Sequence, residues 1–299
     1  MNDALAVLLD LLDPEQVERD IFRGRSSAVS GVVPRVFGGQ VAAQALVAAG
    51  RTVPSDRTAH SLHAYFLRPG DPAAPIVYTV DRIRDGRSFT TRRVVAIQHG
   101  RPVFHLSASF QRYEEGLEHQ TEMAPAPDPE TLETGAETVA RHAGRFVDPV
   151  MAEWLLRARE AVDLRYVDAP PYAGVGQPRE PRSQVWFRTA GKLADDPLLH
   201  ICLATYISDM TLLDSVLLAH GRGGWAVGDV VGASLDHAMW FHRPFRADEW
   251  LLYDQSSPSS SGGRGLGQAR IFTRDGALAV SVVQEGVLRV PRVRAAPPR

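Results

Sequence analysis

The chain has almost no cysteine and almost no lysine. Its one cysteine, Cys202, excludes an internal disulfide framework and a cysteine metal cluster. Cys202 stands in an apolar stretch and reads as a packing residue. Of the 33 basic residues a single one, Lys192, is a lysine. Schiff-base chemistry thus has one candidate, and Lys192 lacks the spaced glycines of a phosphate-binding loop. No apolar run approaches the roughly 18 residues of a membrane span. A formal net charge of −2 gives no electrostatic reason to expect nucleic acid as a partner. Gly-x-Ser-x-Gly, His-Glu-x-x-His and Cys-x-x-Cys are all absent, so nucleophilic serine catalysis and zinc hydrolysis have no support. Gly263-x-Gly265-x-Gly267 lacks dinucleotide spacing. The stretch Met1 to Asp10 is acidic with no basic leader, and Ala295-Ala296-Pro297-Pro298-Arg299 carries no peroxisomal tripeptide. A soluble, cytoplasmic protein is the expectation.

What is present is length and pattern. A chain of 299 residues with 44% hydrophobic content suits two domains of about 110–150 residues. Leu5, Leu8, Leu9 and Leu12 follow helical spacing behind Asp3, and Asp20 to Gly24 reads as a short strand. Val41 to Ala49 is a helix rich in small residues, opened by Gly38-Gly39-Gln40. Small residues suit a helix closely wrapped by a sheet, and free N–H groups at its start suit an anion; both readings of the two glycines stay open. Strands follow at Ala59 to Leu67, Ile76 to Ile83, Ser88 to Gln98 and Val103 to Phe110, with His99-Gly100 as a tight turn. One helix followed by a run of antiparallel strands is α+β.

From Tyr113 to about Pro181 prolines punctuate the chain, and Pro149 to Val162 has helical periodicity. This reads as a linker packed outside the domains. Then the first pattern returns. Gln184 to Arg188 resembles Ile21 to Arg23, and a second apolar helix follows. Ala233 to Pro244 reads as a strand ending in Arg-Pro, like Tyr65 to Pro69. Trp250 to Gln255 matches Pro75 to Val80, and Ser256 to Gly263 stands where Asp85-Gly86-Arg87 stood. Gly265 to Thr273 and Ala279 to Leu288 close the unit around Asp275-Gly276. The offset of about 175 residues fits a duplicated domain rather than a solenoid. The expected division is a first domain over 1–113, a linker carrying helix over 114–181 and a second domain over 182–299.

Chemistry must come from polar residues in apolar surroundings. Asp209 interrupts a long apolar helical pattern, Leu199 to Leu218. A charge removed from water is costly unless it is paired, hydrogen-bonded or shifted in pKa. Asp209 is therefore a cap, a solvent-facing residue or a catalytic carboxylate. Ser234 opens a strand with apolar alternates, and Gln284 lies in a core strand. Either is satisfied by backbone or belongs to a site. His237 and His242 are weaker candidates, and His242 beside Arg243-Pro244 reads as a corner residue.

Several stretches carry a resemblance. Val36-Phe37-Gly38-Gly39-Gln40-Val41-Ala42-Ala43-Gln44-Ala45-Leu46, His60 to Asp71, Asp236 to Phe245 and Val283-Gln284-Glu285-Gly286-Val287 resemble acyl-CoA thioesterase II, the TesB type. The resemblance runs from about Asp13 to Arg289. It implies a double hotdog, two tandem units each with a sheet wrapped around a central helix. It also implies hydrolysis of acyl-CoA to fatty acid and CoA by a water held by three residues, matched here by Asp209, Ser234 and Gln284. Threonine is the residue expected at the Ser234 position; serine keeps the hydroxyl. Asp209 would be the base, kept ionised with the help of a helix N-terminus, and helix N–H groups would polarise the carbonyl. No cofactor, metal or covalent intermediate is required. Met210, Met239, Trp240 and Phe241 are loose candidates for an acyl tunnel. The first half has no carboxylate at its helix start, so its pocket is expected to be degenerate. Two alternatives remain: a hotdog enoyl-CoA hydratase, which needs a close Asp/His pair, and a non-catalytic acyl-CoA-binding module. A homo-oligomer, dimer or tetramer, is expected because sheet edges seek partners.

Overall fold

The computed structural model describes residues 3–26 and 35–291; expectations for the first two and the last eight residues lie outside them. The first half runs α1 (Asp3–Leu11), β1 (Glu15–Glu18), β2 (Ile21–Gly24), α2 (Gly38–Gly50), β3 (Arg57–Phe66), β4 (Ile76–Asp85), β5 (Phe89–Gln98) and β6 (Arg101–Arg112). Next come α3 (Gly135–His142), α4 (Pro149–Ala161) and β7 (Val162–Tyr166). The second half continues with β8 (Arg182–Thr189), α5 (Pro197–Ser208), α6 (Asp214–Leu218), β9 (Val231–Ser234), β10 (Asp236–Phe241), β11 (Leu251–Ser261), β12 (Arg264–Thr273) and β13 (Leu278–Arg289).

The described strands form one antiparallel sheet in the order β1-β2-β4-β5-β6-β3-β10-β13-β12-β11-β8-β7, with β9 paired to β13. Each half contributes the same strand path in mirror order, as a double hotdog does. The halves meet at β3 and β10, where Leu62 faces Met239 and Tyr65 faces Asp236. One sheet edge from each half is thereby consumed inside the chain. The stretch 114–181 holds α3 and α4, and it also supplies β7, which pairs with β8 as β1 pairs with β2. Sequence patterning missed both outer strands, because β1 is exposed throughout and β7 is short.

Turn chemistry places the hairpins. His99 and Gly100 both take positive φ, 48° and 70°, between the paired residues Gln98 and Arg101. This is the two-residue turn that matches strand twist. The Ser256 to Gly263 stretch differs from expectation. β11 runs on to Ser261, and only Gly262-Gly263 turns, at φ 57° and 74°. The serines stay in the ladder through an irregularity between Ser256 and Ser259.

The strand expected over Ala233 to Pro244 is broken at Leu235. Ser234 faces Gly286 while Ala238 faces Val283. Four steps on one strand thus oppose three on β13, which is a β-bulge. Asp236 makes the break tolerable: its Oδ1 accepts the Glu285 backbone N–H at 2.7 Å. Bulges re-aim side chains, and this one lies between Ser234 and His237.

The core sits between sheet and helices. α2 is buried over most of its length by alanines, Val41 and Leu46. α5 is apolar nearly all round and buried from His200 through Ser208 save Tyr206. The two helices lie antiparallel. A Cβ on Gly39 would come within 2.5 Å of the Tyr206 carbonyl, and one on Gly50 within 2.5 Å of Leu198. Glycine at both ends of α2 is what permits this approach.

Candidate active site

The helix pairing decides where the carboxylate goes. Asp196 caps the start of α5, its Oδ1 accepting the Leu198 N–H at 3.0 Å, with Pro197 at the first position. The helix ends at Ser208, and Asp209 is its C-terminal cap. A carboxylate there faces the unfavourable end of its own helix dipole. Because α2 runs the other way, the end of α5 lies at the start of α2. The Gly39 backbone N–H donates to the Asp209 carboxylate, and a Cβ on Gly38 would stand 2.7 Å from Oδ2. The helix N-terminus that serves Asp209 belongs to the other half of the molecule.

Ser234 and Gln284 complete the set. The Ser234 hydroxyl donates to Asp209 Oδ1 at 2.9 Å. Gln284 is fully buried; its Nε2 donates to the same Oδ1 and lies 2.9 Å from Ser234 Oγ. All three residues singled out from the sequence therefore touch one another. They come from the end of α5, the bulged β9 and the middle of β13. Burial raises the Asp209 carboxyl above its ordinary value. Gln284, Ser234, the Gly39 N–H and the charge of Arg35 pull it back, in that order. Arg35 is held nearby by a bond to the Gly232 carbonyl. The arrangement is a half-buried carboxylate with several donors around it, suited to accepting a proton from a bound water.

Behind Gln284 lies His237, on β10, buried and pushed down to about 4 by desolvation. Its Nε2 is 2.9 Å from Ser208 Oγ. Sequence reading noted His237 without giving it a role. Both readings of the glycines at the start of α2 were open; the structure packs Gly39 against the Tyr206 carbonyl and Gly38 against Phe66, and brings the Gly39 N–H to the Asp209 carboxylate. Arg35 and Asp214 were missed. Burial pushes Asp214 up to about 7, with the Arg159 charge opposing; its place just past an apolar helix was the only available signal.

Of the tunnel candidates, Met239 is fully buried and Phe241 nearly so. Trp240 is corrected: strand alternation puts it on the other face, where its ring meets His63 edge-on at 5.2 Å. The related position in the first half is filled differently. At the start of α5, Leu198 packs where Gly50 leaves room, and Thr52 bonds the Ala49 carbonyl and receives the buried Arg92. A cavity of about 580 Å³ lies between α3, β7 and β8 and includes none of Asp209, Ser234 and Gln284. Among the described residues no group of three or more His, Cys, Asp or Glu is placed to hold a metal ion. No helix among them is long and apolar enough to cross a membrane.

Two family models match the chain. One described as acyl-CoA thioesterase covers residues 158–287, and one described as acyl-CoA thioesterase N-terminal domain covers 27–111. Human acyl-coenzyme A thioesterase 8 is 42% identical over 97% of this chain and 91% of its own length. Acyl-CoA thioesterase 2 of Haemophilus influenzae is 39% identical over 97% of this chain and 99% of its own. The crystal structure of acyl-CoA thioesterase II TesB2 from Mycobacterium marinum is 44% identical, with a TM-score of 0.77 over 95% of this chain and 98% of that one.

Proposed function

The chain belongs to the acyl-CoA thioesterase family, and we propose that it hydrolyses acyl-CoA thioesters at Asp209, with Ser234 and Gln284 as its partners. The observation that carries this reading is the convergence of both side chains on one Asp209 oxygen while the Gly39 N–H holds the carboxylate from the opposite half. A water bonded to Asp209 attacks the thioester carbonyl carbon and gives its proton to the carboxylate. Ser234 and Gln284 fix the water and the carboxylate in attack geometry. The carbonyl oxygen, as it gains charge, is received by the remaining free N–H groups in the first turn of α2. Collapse of the tetrahedral intermediate breaks the C–S bond, and the CoA sulfur leaves with a proton returned from Asp209. Residues 182–299 supply the reacting side chains in this scheme, and 1–113 the helix start that completes the site.

The hydratase alternative needs a carboxylate–histidine pair. His99 and Asp71 do pair, at 2.9 Å, but on an exposed corner; the bonding partners of Asp209 are a serine, an amide and a backbone N–H. We place the enzyme in the cytoplasm as a dimer or tetramer of chains. Light scattering of the purified protein measures the second part; a single-chain mass would refute it. The reaction itself is tested by following thiol release from acyl-CoAs of short to long chain. Asp209→Asn should lower turnover by about 100- to 10,000-fold, the range for losing a positioned base. An Asp209→Asn enzyme within about tenfold of wild type would refute the assignment.

A further inference from the structure

We propose that His237 is a positioning residue: its Nδ1–H donates to Gln284 Oε1 and thereby fixes which end of the Gln284 amide faces Asp209. This rests on the assignment of Asp209, Ser234 and Gln284 made above. An amide side chain can be turned end for end at almost no steric cost, so something must select its orientation. Turned the wrong way, Gln284 would present a carbonyl oxygen to a carboxylate, and the water would lose a donor.

Two buried atoms point to the selector. Among the described residues, Gln284 Oε1 and His237 Nδ1 have no well-formed hydrogen-bond partner, and both are inaccessible to solvent. Their residues sit opposite each other on adjacent strands. The register Ala238–Val283, Met239–Val282, Trp240–Ser281, carried one step further, sets His237 against Gln284, with both side chains on the inner face. The Gln284 side chain beside it works against burial and raises the His237 imidazole. Two acceptors left facing each other in the core would be destabilising, because neither could recover the hydrogen bond it gave up to water. A donor from Nδ1 removes that cost.

The proton order then follows outward from the carboxylate. Ionised Asp209 accepts only, so Gln284 Nε2 must face it. Gln284 Oε1 therefore needs a donor, which is Nδ1–H. A neutral imidazole carries one proton, so Nε2 must accept, and the hydroxyl of Ser208, 2.9 Å away, donates to it. Ser208 Oγ also lies 3.0 Å from the Thr205 carbonyl; that bond would leave His237 as the wrong tautomer. The sequence Ser208, His237, Gln284, Asp209 is thus one oriented chain of donors ending at the reacting water. The β-bulge at Leu235 is what allows Ser234 at the end of β9 and His237 at the start of β10 both to address this site.

The experiment separates the two nitrogens. Asparagine at 237 places an amide N–H near the Nδ1 position, and glutamine places its polar end near Nε2. His237→Gln should lower kcat by about tenfold or more while KM moves little, and His237→Asn should retain kcat within about threefold, as expected for one lost donor to a buried acceptor. In a Gln284→Ala background His237→Gln should cost nothing further. A folded His237→Gln enzyme with wild-type kcat, or equal losses in both backgrounds, would overturn the inference. Should the variants not fold, nitrogen NMR of the ¹⁵N-histidine-labelled wild type still decides: the inference requires His237 to carry its proton on Nδ1, and protonation on Nε2 refutes it. If Gln284→Ala itself leaves turnover intact, the site assignment fails, and that result is distinct from a failure of His237 alone.

Discussion

Adding one methyl group at Gly38 should disable the site without unfolding the protein. A Cβ there would stand 2.7 Å from Asp209 Oδ2 and 2.8 Å from Phe66 Cε1. Relaxing such contacts to ordinary separations near 3.4 Å requires roughly 0.7 Å of movement. The carboxylate cannot swing away freely, because Ser234, Gln284 and the Gly39 N–H all hold it. Displacing a reacting group by about 1 Å can cost on the order of 100-fold in rate. Gly38→Ala should thus lower kcat by about 10- to 100-fold, equivalent to about 1.4–2.7 kcal/mol of barrier. Its stability cost is smaller, because overpacking of about 1–3 kcal/mol is offset by up to about 1 kcal/mol of helix propensity. The control is Gly50→Ala at the other end of the same helix. There the new Cβ meets Leu198 at 2.5 Å, far from the reacting groups, so stability should fall and kcat should hold. Thiol-release kinetics and thermal denaturation on the two variants side by side make the comparison. Wild-type kcat in Gly38→Ala, or matched losses of kcat in both variants, would refute the placement of Asp209 against the start of α2.

Other perturbations bear on the same site. Ser234→Ala removes a hydrogen bond to a charged group, worth about 1.5–3 kcal/mol, and should lower kcat by about 10- to 100-fold while Ser234→Thr preserves it; steady-state kinetics that rank the two the other way would contradict this role. Burial raises the Asp209 carboxyl above 3.8, so the folded state holds that proton more tightly than the unfolded chain. Its contribution favours folding below pH 3.8 and is lost as the pH rises through the raised value. At pH 7 Asp209→Asn should therefore melt at or above the wild-type temperature despite its lost activity, and a clear drop in melting temperature would count against that sign. On the acid side kcat/KM should fall at a pH above the ordinary carboxylate range, since the base must be ionised. Calorimetric titration with a non-hydrolysable acyl-CoA thioether should give one site per chain, because Leu198 and Thr52 fill the related position in the first half; two equivalent sites would show that position to be open.

Much of this was legible because repetition and local chemistry agreed. The Arg-Pro corners at Arg68 and Arg243, the x-Gly turns and the two apolar helices announced a duplicated unit, and the structure pairs those units at β3 and β10. Asp209, Ser234 and Gln284 stood out as polar residues in apolar runs, a pattern that fits backbone satisfaction as well as a site, and it was the resemblance to the thioesterases that joined them into one candidate set. What escaped was set by contacts distant in the chain. β1 is four residues and exposed throughout, and β7, though it alternates, is five residues joined directly to the end of α4. The bulge at Leu235 depends on the different spacing of β13, invisible from β9 and β10 alone. The helix start serving Asp209 could not be assigned, because local sequence does not say that α2 and α5 lie antiparallel. His237 is silent for the same reason: its meaning comes from the residue opposite it on another strand.

The antiparallel helix pair has an evolutionary corollary. In a dimer of identical hotdog subunits, each glycine and each carboxylate appears twice, and any substitution is imposed on both sites at once. Here the two halves are one polypeptide, so a mutation alters one end of the pair and leaves the other alone. One end has the gap of Gly38 beside a half-buried carboxylate. The other is closed by Leu198 against Gly50 and by the Thr52–Arg92 bond. Fusion makes the two ends of the pair separable: a side chain can fill one of them while the other stays as it is.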